Sequence, residues 1–196
     1  MQVYLIHGIQ EEIQELPKEG DLKCTWYPEG KRVFLFIVNG KGVLIGSSSE
    51  GNTFEGEMPN TFINKAKKVH SNTVCEGVLV TETKLSPSII RLLLTDVIYI
   101  NGMSLKSLPY TQRLSALRKE IIDRIHETKD QDRERIQQSP YKSIALRDCW
   151  PIDQLSKIRD SLIPSLTHAC KGIFIIDAAA PYAYGDQPSR CWLWNR

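Results

Sequence analysis

Disulfide spacing, long apolar runs and a marked excess of charge are all missing from this chain of 196 residues. Its five cysteines (Cys24, Cys75, Cys149, Cys170 and Cys191) are odd in number and form no C-x-x-C pair. That argues against a disulfide framework and predicts reduced thiols, as in the cytoplasm or the nucleus. No stretch approaches the roughly 18 apolar residues of a membrane-spanning helix, so no membrane partner is expected. The opening Met1-Gln2-Val3-Tyr4-Leu5-Ile6-His7 lacks the basic flank and long apolar core of a signal peptide. A net charge of +2 is too small for bulk attraction to nucleic acid, so such a partner must be gripped at a local site. The four histidines (His7, His70, His126 and His168) show no metal-ligand spacing. There is no P-loop, no Rossmann glycine fingerprint and no G-x-S-x-G elbow, which excludes the usual designs for those chemistries.

What is present is an ordinary globular composition, 41% hydrophobic and 24% charged. The length fits one domain over residues 1–196, with residues 1–19 as an N-terminal extension. Val33-Phe34-Leu35-Phe36-Ile37-Val38 has the aromatic and β-branched character of a strand. Asn39-Gly40-Lys41-Gly42 predicts a hairpin turn, with Gly42–Gly46 as the return strand. Further strands are predicted at 3–6, 22–27, 74–81, 89–100, 141–149, 171–178 and 191–194. Ile9, Ile13 and Leu16 have helical spacing, so a short helix over 9–16 is expected. Residues 47–60, rich in Ser, Gly, Asn and Glu, read as an exposed loop, and 181–189 as another. Leu114, Leu117, Ile121 and Ile125 mark one face of an amphipathic helix. Pro151 opens a second helix, which Pro164 should shorten or kink. The fold class is therefore α+β, with strands dominant. Asp96 interrupts an apolar strand and predicts a buried polar or charged partner.

Trp26-Tyr27-Pro28-Glu29-Gly30-Lys31-Arg32 places a sharp glycine turn and two cations at the mouth of a sheet, a combination suited to a phosphate or nucleotide. The bland alternative is a surface turn with solvated charges.

A resemblance gathers these features. Arg91 through Asp96 to Asn101-Gly102, then Leu108-Pro109-Tyr110 and Arg113-Leu114, is similar to a segment of the mRNA-capping guanylyltransferases and polynucleotide ligases. Glu76-Gly77-Val78 resembles that family's Asp-Gly-Glu strand, and Lys171-Gly172 its Asp/Glu-Gly strand. Pro181-Tyr182-x-x-Gly185 and Cys191-Trp192-Leu193-Trp194 resemble its closing motifs. The likeness spans most of residues 20–196. It implies a nucleotidyltransferase core, guanylyltransferase- or ATP-grasp-like: antiparallel β-sheets with flanking helices and a central cleft.

The departures from the family pattern set the functional expectation. The lysine that accepts the nucleotide falls on Tyr27, the metal-binding glutamate on Val78, the next acidic position on Lys171 and the last motif lysine on Leu193. A phenol cannot replace the amine that forms a phosphoramidate. The resemblance thus implies a pseudoenzyme with no catalytic residue, no metal site and no cofactor. The stretch from Gly20-Asp21 through Cys24-Thr25-Trp26-Tyr27-Pro28 to Gly30-Lys31-Arg32 resembles the opening of the snurportin cap-binding domain. The expected ligand is a capped RNA 5′ end or a guanine nucleotide, held by Trp192, Tyr27, Lys31, Arg32, Trp26 and Trp194, with Trp192 as the stacking platform. Capping-machinery or transport proteins are possible partners on this view. The alternatives are a scaffold domain in a capping or cap-methylating assembly, which the guanylyltransferase-like domain of cap ribose methyltransferases resembles, and, more remotely, an active guanylyltransferase or ligase.

Overall fold

The computed structural model describes residues 11–48, 51–183 and 190–194. Strand β1 (Glu11–Ile13) and strand β2 (Leu22–Pro28) lead into β3 (Lys31–Val38). Asn39 and Gly40, with φ of 49° and 77°, then turn the chain back as β4 (Lys41–Ser48). Positive φ at both turn residues matches the right-handed twist of the strands, which is why Asn-Gly works there. β5 (Gly51–Thr61), β6 (Thr73–Glu82), β7 (Ile89–Ile100) and β8 (Met103–Ser104) follow. Helices α1 (Tyr110–Leu117) and α2 (Asp123–Gln138) are joined by a five-residue π turn at Arg118–Ile122. After them come β9 (Tyr141–Leu146), β10 (Trp150–Pro151), a short helical stretch over 152–165, β11 (Cys170–Asp177) and β12 (Cys191–Trp194).

The strands form two sheets. The larger has the order β5-β4-β3-β6-β7-β8, with β9 added in parallel to β7; the smaller has the order β1-β12-β11-β2-β10. Period-two alternation sends Val33, Leu35 and Ile37 to one face of the larger sheet. There they meet Leu114, Leu117, Ile121 and Ile125 from the helical face predicted from sequence, and Phe174 and Ile176 from the smaller sheet. The other face of the smaller sheet carries Ile173 and Ile175 into a second core with Leu22, Cys24, Ile158 and Trp194, under the 152–165 helical stretch. The smaller sheet therefore has a core on each side, and the side a residue faces decides its role.

Two predicted elements differ. Part of the expected helix at 9–16 is a strand: Glu11, Glu12 and Ile13 pair in parallel with Trp192, Leu193 and Trp194. Three apolar residues at helical spacing cannot outweigh a ladder offered by a neighbouring strand edge. The expected loop at 47–60 is largely β5, which pairs with β4 through two register shifts. An edge strand tolerates polar residues and Pro59, because one of its faces and one of its edges need no partner. The strand expected at 3–6 lies outside the described residues. The polar stretch at 128–138 is helical, and it is not simply solvated. Asp132 is buried and accepts from the Thr61 amide at 2.6 Å and the Thr61 hydroxyl at 2.8 Å, docking α2 onto β5.

Candidate functional site

The β2–β3 turn is pressed against β6. A Cβ on Gly30 would lie 2.2 Å from the Leu79 carbonyl oxygen and 2.8 Å from Val78 Cγ1, so only glycine fits. The Glu29 amide donates to the Ala169 carbonyl at 2.9 Å, which ties the turn to the segment entering β11. Tyr27 stands at the end of β2 opposite Gly172, and its ring packs on Phe174 with centroids 4.2 Å apart. Both rings face the space between the sheets.

Alternation then separates the two cations of the turn. Lys31 is exposed at the rim and pairs with Glu55 at 2.6 Å, a contact that holds the Glu55 carboxyl below the usual range. Arg32 points to the other side and donates to the buried Glu76 at 2.9 Å. Glu76 also accepts from the Tyr182 hydroxyl at 3.2 Å. Burial, and then the Glu76 charge, push the Tyr182 phenol far up.

Deeper in, Arg113 holds Asp96 through two parallel hydrogen bonds, Nε to Oδ1 and Nη2 to Oδ2, both 2.8 Å. Its Nη1 also donates to the carbonyls of Leu108 at 2.6 Å and Ala180 at 3.0 Å. Burial pushes the Asp96 carboxyl up and Arg113 pulls it down. This is the partner that the carboxylate in an apolar strand required, and it joins β7, α1 and the segment after β11.

Sequence reasoning missed Arg147. It follows β9, is 7% exposed, and its guanidinium carbon lies 5.4 Å from the Phe174 ring centroid. Nε is buried without a hydrogen-bond partner. Nothing in the local sequence marks it, because the ladder of β9 on β7 is what carries it inside. Glu76, Asp96, Arg113, Arg147, Tyr182 and Cys191 line a cavity of about 70 Å³ between the sheets. The Cys191 thiol is pushed up to about 12, by burial first, with Arg147 opposing. Among the described residues no group of His, Cys, Asp and Glu is placed to hold a metal ion, and no helix is long and apolar enough to cross a membrane.

Of the predicted ligand residues, the structure turns Tyr27 toward the space between the sheets, sets Lys31 at the rim, and pairs Arg32 with Glu76, which lines the cavity. The three predicted tryptophans, Trp192 among them, are on the other side of the smaller sheet. In the β11–β12 ladder, Trp192 lies opposite Ile175 and Trp194 opposite Ile173, so both face the second core. Cys191 and Leu193, opposite Ile176 and Phe174, are the β12 residues turned toward the cleft. Trp26 alternates with Tyr27 and packs near Trp150 and His168, with centroids 5.7 and 6.5 Å away. Of the positions that depart from the family pattern, Val78 is buried in an apolar cluster with Val80 and Leu93, and Lys171 is exposed.

Residues 9–194 match the family model described as mRNA capping enzyme, catalytic domain. Among solved structures, the chain is similar to a mycobacterial DNA ligase D complexed with ATP and MES. That match has a TM-score of 0.59 and 11% identity, over 96% of this chain and 58% of that one. It is also similar to the ligase domain of M. tuberculosis LigD, with a TM-score of 0.57 and 11% identity, over 95% of this chain and 58% of that one. This chain thus spans under two thirds of those ligase chains, and at such identity the likeness establishes the fold. Among curated proteins, no relative matches the sequence.

Proposed function

Since the chain belongs to the mRNA capping enzyme catalytic-domain family, we propose that its cleft holds a guanine nucleotide or a capped RNA 5′ end without covalent chemistry. The observation that carries this reading is Tyr27. It occupies the position of the nucleotide-accepting lysine, and its ring is committed to Phe174 on the cleft wall. A phenol offers no amine for a phosphoramidate. The two positions that would bring carboxylates to a metal hold Val78 and Lys171. Tyr27, half-buried and backed by the buried Phe174, offers an aromatic face for a base, a contact worth roughly 1–3 kcal/mol. Lys31 at the rim would meet the phosphates, a term that salt should weaken, while Arg32 is turned to the other side and held by Glu76. The 5′ ends of transcripts, and the capping or transport proteins that handle them, are the matching partners in nucleus and cytoplasm.

The family is an enzyme family, so the test must exclude an active transferase. Incubation with labelled GTP or ATP and a divalent metal, followed by a denaturing gel, should give no labelled protein. A band that survives boiling overturns the reading. Titration with GTP and with a cap analogue should then show saturable, salt-sensitive binding.

A second reading, a scaffold domain for a capping or cap-methylating assembly, is favoured by one observation. The cavity of about 70 Å³ beside Arg147 is far below the roughly 300–1,000 Å³ of small-molecule sites, and the roomier hollow of about 410 Å³ lies on the Gly30 and Lys31 side of the turn. A nucleoside enters the smaller cavity only if lining side chains such as Arg147 move aside. Absence of any binding at millimolar nucleotide selects the scaffold.

A further inference from the structure

We propose that the closed end of the cleft is an anion site, built around Arg147 and sized for one phosphate group. Glu76 and Asp96, the two carboxylates that line this cavity, each have a guanidinium, and so does Asp177 nearby on β11. Glu76 is paired with Arg32 at 2.9 Å, Asp96 with Arg113 at 2.8 Å, and Asp177 with Arg190 at 2.5 Å. Asp148, next in sequence to Arg147, is taken by Arg118. Of the three arginines that line the cavity, Arg113 is taken by Asp96 and Arg190 by Asp177, and Arg147 is the one left over. Among the described residues no carboxylate forms an ion pair with it.

A buried guanidinium without a counter-charge is expensive, because its desolvation is not offset by Coulomb attraction. Arg147 is 7% exposed and its Nε donor is unused. The Phe174 ring supplies a cation–π contact at 5.4 Å, which is weak compensation for a desolvated charge. The Tyr110 hydroxyl donates to the Thr95 carbonyl at 3.4 Å and presents its oxygen to the Arg147 charge. The cavity of about 70 Å³ beside Arg147 admits one small polyatomic ion and excludes a nucleoside. A planar fork of donors suits a tetrahedral oxyanion, which accepts two parallel hydrogen bonds. The phosphate is either the free ion or the terminal group of an RNA 5′ end. In the second case the site favours an uncapped end, since a cap leaves no terminal phosphate to insert.

The test titrates the full chain with inorganic phosphate at constant ionic strength. One equivalent should bind saturably, raise the melting temperature with the logarithm of phosphate concentration, and shift the Arg147 Nε–H resonance. Sodium chloride at matched ionic strength should do none of this. Arg147→Gln should lose at least tenfold in phosphate affinity. If that variant does not fold, the resonance shift in the unaltered chain decides alone. A 5′-phosphorylated oligoribonucleotide that competes with phosphate, where its 5′-hydroxyl counterpart does not, assigns the source to an RNA end; competition by neither assigns it to the free ion. No saturable binding, or equal binding in Arg147→Gln, overturns the proposal. Phosphate binding without GTP binding upholds the anion site and removes the nucleotide reading, and GTP binding without phosphate binding does the reverse.

Discussion

Arg113 and Asp96 face each other as a bidentate pair, with both hydrogen bonds at 2.8 Å and both residues buried. Asp96 also accepts from the Val97 amide at 2.7 Å, so the carboxylate has no unused side facing apolar surroundings. The pair locks three separate segments around the cleft without touching any position where the family does its chemistry.

Removing one partner strands the other. Asp96→Ala should cost about 3–5 kcal/mol, because the Arg113 charge stays buried with only two carbonyls to neutralise it. The double variant Asp96→Ala, Arg113→Ala should cost less than the sum of the two single changes, since both act through one contact. Urea denaturation of the four proteins measures this. An Asp96→Ala variant as stable as the parent rules the lock out.

The dock between α2 and β5 should loosen in acid. Burial pushes the Asp132 carboxyl up, but hydrogen bonds from the Thr61 amide and hydroxyl, Thr128 and Arg135 together outweigh it and hold the group below its usual range. A carboxyl lowered by folding adds stability above its unfolded value near 3.9. That contribution is lost as pH falls through the still lower folded value. Denaturation midpoints should therefore fall below about pH 4, and Asp132→Asn should remove part of that dependence while lowering stability at pH 7. An unchanged acid limb in Asp132→Asn contradicts the assignment.

Trp192 should report on folding and stay silent on ligand. Its ring packs on the second core with Trp194 and Ile173. Trp192→Ala should destabilise by about 2–3 kcal/mol, less than a fully buried tryptophan because the ring is only half-buried. The affinity for GTP or a cap analogue should stay within twofold. A tenfold loss of affinity with little loss of stability would instead restore Trp192 as a stacking platform.

The strands with strong alternation, the Asn39-Gly40 hairpin and the amphipathic face from Leu114 to Ile125 were legible in the residues alone, because their signals are local. So was the need of Asp96 for a partner, since a carboxylate within an apolar run is a local contradiction, and the motif order was enough to indicate the family. Tertiary structure decided what depends on a neighbour supplied from far along the chain. β1 is a strand because the edge of β12 is there to pair with it. β5 is a strand because β4 offers a ladder, whatever its polar composition suggests. The direction of Trp192 also needed the register on β11: alternation shows that Cys191 and Trp192 point opposite ways, while only the pairing with Ile176 and Ile175 says which one meets the cleft. Arg147 was illegible for the same reason. Its charge is ordinary on a surface and becomes costly only when β9 on β7, and Phe174 above it, shut out the water.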